Sequence, residues 1–249
     1  MTYEQLLRLL AAASREFVAD AWVFTGFHLP VLAMATARRR GTADFAAVYE
    51  AGAAVTEDHP TVATSTTDYA AYDGAASWVG DSATALLSLS RRYDRVLLDA
   101  TNVDVRGRIN ATAIGPYAHP TVRLAGGGGA ADAAAAAKEV VLLHGRPDAA
   151  RLVRRVENVT ACPTGVVRLI APWGLLDLGE EPRVTSWLAP PSDELRASLT
   201  DRGVDATTYD GSPPEAEDLT AAADVIVDAA ARGYVVARRA LDTIEELEG

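Results

Sequence analysis

Cysteine, lysine and long apolar runs are nearly absent from this chain, and each shortage removes a class of explanation. The single cysteine, Cys162, can form neither an intramolecular disulfide nor a multi-cysteine metal site, which agrees with a reducing compartment. It precedes Pro163 with no recognisable base beside it, so a catalytic thiol is not expected. No stretch approaches the roughly 20 uncharged apolar residues of a membrane span. The opening MTYEQLLRLLAAASREF is charged throughout what would be a signal-peptide core, so the expectation is a cytoplasmic protein with no membrane partner. Lys138 is the only lysine, and the net charge of -11 with a pI near 4.8 argues against a nucleic-acid scaffold, which needs Lys and Arg clustered on one face to neutralise phosphates. The acidic excess, arginine preference and abundant alanine suggest a GC-rich genome or salt adaptation and say nothing of a reaction.

What is present suits one sizeable core. With 249 residues, 49% of them hydrophobic, the expectation is a single α/β domain over 1–249, with a flexible acidic tail from about 240. Thr2 and Gln5 fit a capping box ahead of a helix to about Phe17. AWVFTGF reads as a strand, LPVLAMATARRR (29–40) as a helix with Pro30 in its first turn, and FAAVYE (45–50) as a second strand. Residues 56–80, rich in Thr, Ser, Asp and Gly, read as an extended loop or lid. Then come a helix at 82–92, a buried strand at 95–101, short strands in RINATAIG and TVRL, the glycine run, an alanine-rich helix through Lys138, and the strand VVLLH (140–144). PDAARLVRRV reads as a helix, and GVVRLIAP, GLLDLG and RVTSWLAPP as apolar runs. A Ser192-capped helix and a helical segment from Pro214 close the chain. Strands alternating with helices make a mostly parallel sheet flanked by helices.

Four consecutive glycines, Gly126 to Gly129, are costly in backbone entropy unless the main chain must approach something closely. Between a strand and a helix N-terminus their free amides can receive a phosphate or a developing oxyanion. Gly126, Gly128 and Ala131 also fit the dinucleotide pattern G-x-G-x-x-A, but Arg146 and Asp148 supply only an ambiguous ribose partner. Glu50, in VYEAGAAV, reads locally as either a turn residue or a nucleophile over a flexible turn. His28, His59, His119 and His144 show no metal-like spacing, and no metal site is expected. Arg38, Arg39 and Arg40 are better explained as a basic last helical turn than as phosphate ligands.

Taken together, FTGFHLPVLA, YEAG and the stretch from VDVRGRIN to GGGGAAD resemble the B (beta) subunit of class I coenzyme A transferases of the glutaconate CoA-transferase-like group. The resemblance runs from Thr2 to about Thr200. It implies the CoA-transferase (NagB/RpiA-like) fold and a partner A (alpha) subunit. It makes Glu50 the covalent nucleophile that exchanges CoA between an acyl-CoA and a carboxylic acid through a glutamyl-CoA thioester. It implies an oxyanion and CoA-binding wall from Gly26, Gly126, Gly127, Gly128, Gly129 and Ala130, with His28 and Asn110 as possible substrate-site residues. No bound cofactor is needed beyond the CoA thioester substrate. His28 stands where the family's second glycine is usual and Arg108 where an asparagine is usual. Those departures leave open a CoA-thioester hydrolase or ring-opening hydrolase of the same fold; a dinucleotide-binding protein is the further alternative.

Overall fold

The computed structural model describes residues 1–41, 44–57, 61–207 and 214–248. In chain order they form α1 (Tyr3–Ser14), β1 (Trp22–Thr25), α2 (Leu29–Arg39), β2 (Ala46–Tyr49), β3 (Ala53–Val55), β4 (Ala76–Val79), β5 (Arg95–Asp99), β6 (Val103–Asp104), β7 (Ala113–Ile114) and β8 (Val122–Arg123). These are followed by α3 (Ala130–Ala136), β9 (Glu139–Leu143), β10 (Leu152–Val153), β11 (Val166–Ala171), β12 (Gly174–Leu178), β13 (Arg183–Trp187), α4 (Asp193–Asp201), α5 (Ala216–Ala231) and α6 (Val235–Glu248).

Nine strands make one sheet in the order β13-β12-β11-β9-β5-β1-β2-β3-β4. Its centre, β11 through β2, is parallel, whereas β12 and β13 on one flank and β3 and β4 on the other are antiparallel. The sheet is therefore less uniformly parallel than the sequence suggests. Short turns such as Glu50–Gly52 and Pro172–Trp173 permit hairpins, and parallel neighbours need long crossovers. Both faces are covered, which is why β2 and β3 are buried at every position. On one face α1, α2, α5 and α6 pack through Leu6, Leu9, Leu32, Val225 and Ile226; on the other α3 and α4 lie over Val96, Val140, Leu169 and Leu176.

Thr2 caps α1 in a reciprocal capping box with Gln5, as its sequence predicts, and Ser192 accepts from the Leu195 amide at the start of α4. Three expectations are corrected. Residues 147–156 are not helical: the chain turns after Pro147, and Leu152–Val153 pairs with Val103–Asp104 instead. The predicted 82–92 helix is a π-helical turn at Thr84–Ser88 followed by a 3₁₀ turn at Ser90–Arg92. The described part of 56–80 includes the edge strand β4, and Val62 and Ala63 are buried among the helices of the α1/α2 face. There the Tyr234 hydroxyl donates to the Ala63 carbonyl. Through α6 the backbone is helical across the acidic end of the chain. No helix among the described residues is long and apolar enough to cross a membrane.

Candidate active site

The central parallel strands all end on the same edge of the sheet. Just past β2 comes Glu50, past β1 come Gly26, Phe27 and His28, at the end of β5 comes Asp99, and past β9 comes His144. In the strand order β9-β5-β1-β2 these positions form a row along that edge. The chain leaves β1 toward β2 and later returns to β5 on the other side of β1, so the row lies at a topological switch point, where open α/β sheets characteristically form a crevice. The crevice is a cleft of about 370 Å³ lined by Gly26, Phe27, His28, Glu50, Asp99 and the glycine loop, among others.

Glu50 is the turn residue that its local sequence allowed, and it also lines the cleft. It occupies a three-residue hairpin turn, since Tyr49 pairs with Ala53 across Glu50–Ala51–Gly52. Gly52, at φ 100°, takes the conformation that closes such a turn, and its amide donates to the Tyr49 carbonyl at 3.0 Å. A Cβ there would lie 2.6 Å from the Gly80 carbonyl oxygen of the loop after β4, so only glycine fits. The turn projects the Glu50 carboxylate into the cleft.

The glycine run meets it from the opposite wall. The Gly129 amide donates to Glu50 Oε2 at 3.4 Å, and a Cβ on Gly128 would stand 3.5 Å from the same oxygen. Of the other predicted wall residues, Gly26 donates to the Leu97 carbonyl, Gly126 to that of Ala111 and Ala130 to that of Gly127. The Gly127 and Gly128 amides have no hydrogen-bond partner among the described residues, and they line the cleft. The sequence-predicted loop and the sequence-predicted nucleophile are thus brought together, with fewer free donors than the full set of glycines suggests.

His28 is the N-cap of α2 at φ 70°, ψ -110°. Those angles are those of the first central residue of a type II′ turn, a position dominated by glycine. Asp20 and Asp44 also have positive φ; Asp, Asn and His are enriched there mainly in the left-handed helical region, and the ψ of -110° puts His28 outside it. Holding histidine here costs on the order of 1–3 kcal/mol. The ring is anchored all the same, with Nδ1 2.6 Å from Asp99 Oδ2 and the plane stacked on Tyr234 at 6.0 Å. Asp99 is the site residue sequence reasoning missed; its signal was only its place at the end of a buried strand.

Asn110 does not reach the cleft. It is 1% exposed, and its side-chain amide donates to Asn102 Oδ1 and the Ala113 carbonyl while its oxygen accepts from the amides of Thr112 and Ala113. It fixes the loop that carries Ile109 and Ala111, which do line the cleft. Arg108 is held by the fully buried Asp104, whose oxygens also accept the amides of Arg106, Arg108 and Val156. Arg38 donates to the carbonyls of Phe45 and Val55, while Arg39 and Arg40 pair with Asp228 and Asp218. His144 is buried and bonded through Nδ1 to the Ala100 carbonyl, and burial holds its pKa below the ordinary imidazole value. His59 lies outside the described residues. None of the described residues in 56–80 lines the cleft.

No family model and no curated protein matches the sequence. Among solved structures, the decarboxylase AibA/AibB, determined in several cysteine-substituted forms, superposes with a TM-score of 0.71 at 26% identity over 89% of this chain and 93% of that one. The glutaconate coenzyme A-transferase of Acidaminococcus fermentans superposes at 0.69 with 16% identity over 84% and 90% of the two chains. An acyl-CoA transferase of E. coli O157:H7 in its CoA thioester complex matches at 0.63 with 17% identity, over 88% of this chain but 44% of that one. The chain has the fold of these coenzyme A transferases.

Proposed function

We propose that this chain is the beta-type subunit of a class I coenzyme A transferase, with Glu50 as its covalent carrier. A carboxylate oxygen of Glu50 attacks the thioester carbonyl of an acyl-CoA, the C–S bond breaks, and CoA thiolate leaves a mixed anhydride. The thiolate attacks the Glu50 carbonyl of that anhydride, which frees the first acid and leaves a glutamyl-CoA thioester. A second carboxylate then takes up the CoA by the reverse steps. The observation that carries the reading is the meeting of Glu50 with the glycine loop: the Gly129 amide at 3.4 Å fixes the nucleophile. The unpartnered Gly127 and Gly128 amides border the space where an oxyanion develops.

A carboxylate attacks well only where water is scarce, and this chain alone leaves the cleft open. Phe27 lines it yet is 58% exposed, which supports a second, alpha-type subunit as the missing wall.

The test is peptide mass spectrometry of the chain, purified with its companion subunit and incubated with a panel of acyl-CoA thioesters. CoA attached to the Glu50 peptide, and its loss in Glu50→Ala, is the expected result. Transfer that proceeds without any such adduct would sink the assignment.

A second reading rests on the 26% identity to a decarboxylase, which exceeds that to either transferase. This chain's one cysteine, Cys162, is exposed and outside the cleft lining, so a decarboxylase here would have to work around Glu50. Release of CO₂ from a CoA-linked acid, with no glutamyl adduct, would decide for it.

A further inference from the structure

Transfer between two acids needs no side chain to move a proton, because carboxylate and thiolate are already the attacking species. The cleft that Glu50 lines nevertheless holds a histidine on strained backbone, 2.6 Å from an aspartate. An ionised carboxylate only accepts hydrogen bonds, so the proton in that contact belongs to Nδ1. Neutral His28 is thereby fixed as the tautomer whose Nε2 bears the lone pair, the arrangement in which an aspartate orients a histidine general base. Among the described residues lining the cleft, the titratable groups are His28, Glu50 and Asp99. In a glutamyl-CoA thioester Glu50 carries no free carboxylate, and Asp99 is bonded to the imidazole, so the proton acceptor left over is Nε2.

We infer that His28, positioned by Asp99, is a general base that admits water as an acyl acceptor, so that the same site hydrolyses CoA thioesters. The inference rests on Glu50 as the CoA carrier. A water oxygen attacks the carbonyl carbon of the glutamyl-CoA thioester while its proton passes to His28 Nε2. The tetrahedral oxyanion collapses, the C–S bond breaks, and the departing thiolate takes the proton from Nε2. Glu50 is left as a carboxylic acid that ionises to its resting carboxylate. The net change is one acyl-CoA and one water to a free acid and free CoA.

The experiment is thiol release from acetyl-CoA, succinyl-CoA and glutaryl-CoA by the two-subunit complex with no acceptor acid present, while the Glu50 peptide is followed by mass spectrometry. The wild-type complex is expected to release CoA continuously. Release should fall about 100-fold or more in His28→Gln, the range for loss of a general base, and glutamyl-CoA should accumulate. His28→Gly, which relieves the backbone, should show the same loss and so separates chemistry from misfolding. Asp99→Asn should lower release, and ¹⁵N spectra of its imidazoles should show His28 no longer held in one tautomer, a signature that mere packing damage would not give. Release at the wild-type rate in His28→Gln, or a wild-type complex that forms the adduct yet releases no CoA to water, overturns the inference. His28-dependent release without an adduct upholds the base and overturns the Glu50 carrier instead.

Discussion

The Gly129 amide and the Glu50 carboxylate, 79 residues apart in sequence, meet at 3.4 Å across the cleft. The contact is long for a hydrogen bond to a carboxylate, so it orients Glu50 while holding its charge only weakly, which suits the proposed carrier role. Glu50→Gln keeps the side chain's shape and its acceptor oxygen but removes the nucleophilic charge. Transfer should drop at least about 1,000-fold, in line with removal of other catalytic nucleophiles. The circular dichroism spectrum and Tm should stay unchanged; activity within tenfold of wild type would exclude Glu50 as carrier.

Gly128 governs how closely the loop approaches that carboxylate. Its φ of 50° lies in the left-handed region, and an added Cβ would come to 3.5 and 3.6 Å from the two Glu50 oxygens. Gly128→Ala is therefore sterically admissible at a backbone cost of about 1 kcal/mol, and it crowds the space where an acyl carbonyl must sit. Displacements of about 1 Å at reacting groups cost on the order of 100-fold, so kcat/KM should fall by roughly that factor while stability changes little. Gly129→Ala is the harsher change, since its Cβ would lie 2.5 Å from Leu86 Cδ2; chemical denaturation should show it destabilised beyond Gly128→Ala.

Strain at His28 gives a stability prediction independent of chemistry. At φ 70°, ψ -110° any Cβ is penalised, so His28→Ala removes the Asp99 hydrogen bond and keeps the penalty. His28→Gly removes both. The glycine variant should be more stable than the alanine variant by about 1 kcal/mol, read from urea midpoints at equal m-value. An alanine variant as stable as glycine would mean the backbone relaxes and no strain is stored there.

The central strands and helices, the tight turn after β2 and the glycine loop were legible in the sequence because they depend on local signals: caps, apolar runs and residues tolerating unusual backbone. Glu50 was singled out by the family resemblance, since its local sequence reads equally as a plain turn. What escaped was decided by long-range pairing. Leu152–Val153 is apolar and arginine-flanked like a helix, yet it pairs with Val103–Asp104, and Asp104 gathers three amides and Arg108 into one buried knot. β3 is three residues long, and β4 is a four-residue edge strand with no buried position. Asp99 reads as the end of a buried strand, and only the folded sheet puts it beside His28, 71 residues earlier.

His144 makes stability depend on mild acid. It is 1% exposed, its Nε2 is buried without a partner among the described residues, and burial lowers its pKa below the ordinary 6.5 despite the Ala100 carbonyl bond. The folded state therefore binds the proton less readily than the unfolded chain. The stabilisation is complete above about pH 6.5 and is lost as pH falls through the depressed folded value, with a slope of at most about 1.4 kcal/mol per pH unit. Urea titrations of wild type between pH 7 and 5 should show that decline, and His144→Asn, which cannot take up the charge, should flatten it. Equal slopes in the two proteins would assign the acid sensitivity elsewhere.

Asp218 ties the C-terminal helices to the rest of the fold. Its side chain is 4% exposed, and it receives Arg15 on one oxygen at 2.6 Å and Arg40 on the other at 2.9 Å while capping α5 through the Glu215 amide. Burial works to raise its pKa, but the bonds from Arg40 and Arg15 win and hold it below the ordinary carboxylate value. A carboxylate so placed contributes stability above its unfolded pKa and loses it as pH falls through the depressed folded one, so this contribution is intact at neutral pH. Asp218→Ala takes a buried partner from two guanidinium groups at once, although Arg15 keeps Glu215 Oε1 at 3.6 Å. Breaking a buried pair costs about 3–5 kcal/mol, and because both arginines keep partial solvent access the expected loss is near the lower figure. Replacing Arg15 and Arg40 together with Asp218 by apolar residues should recover much of that loss, because the desolvated charges then disappear with their partners. A triple variant as unstable as Asp218→Ala would show that α5 is docked by the cap and the charge pattern, not by the apolar face formed by Ala222, Val225, Ile226 and Ala229.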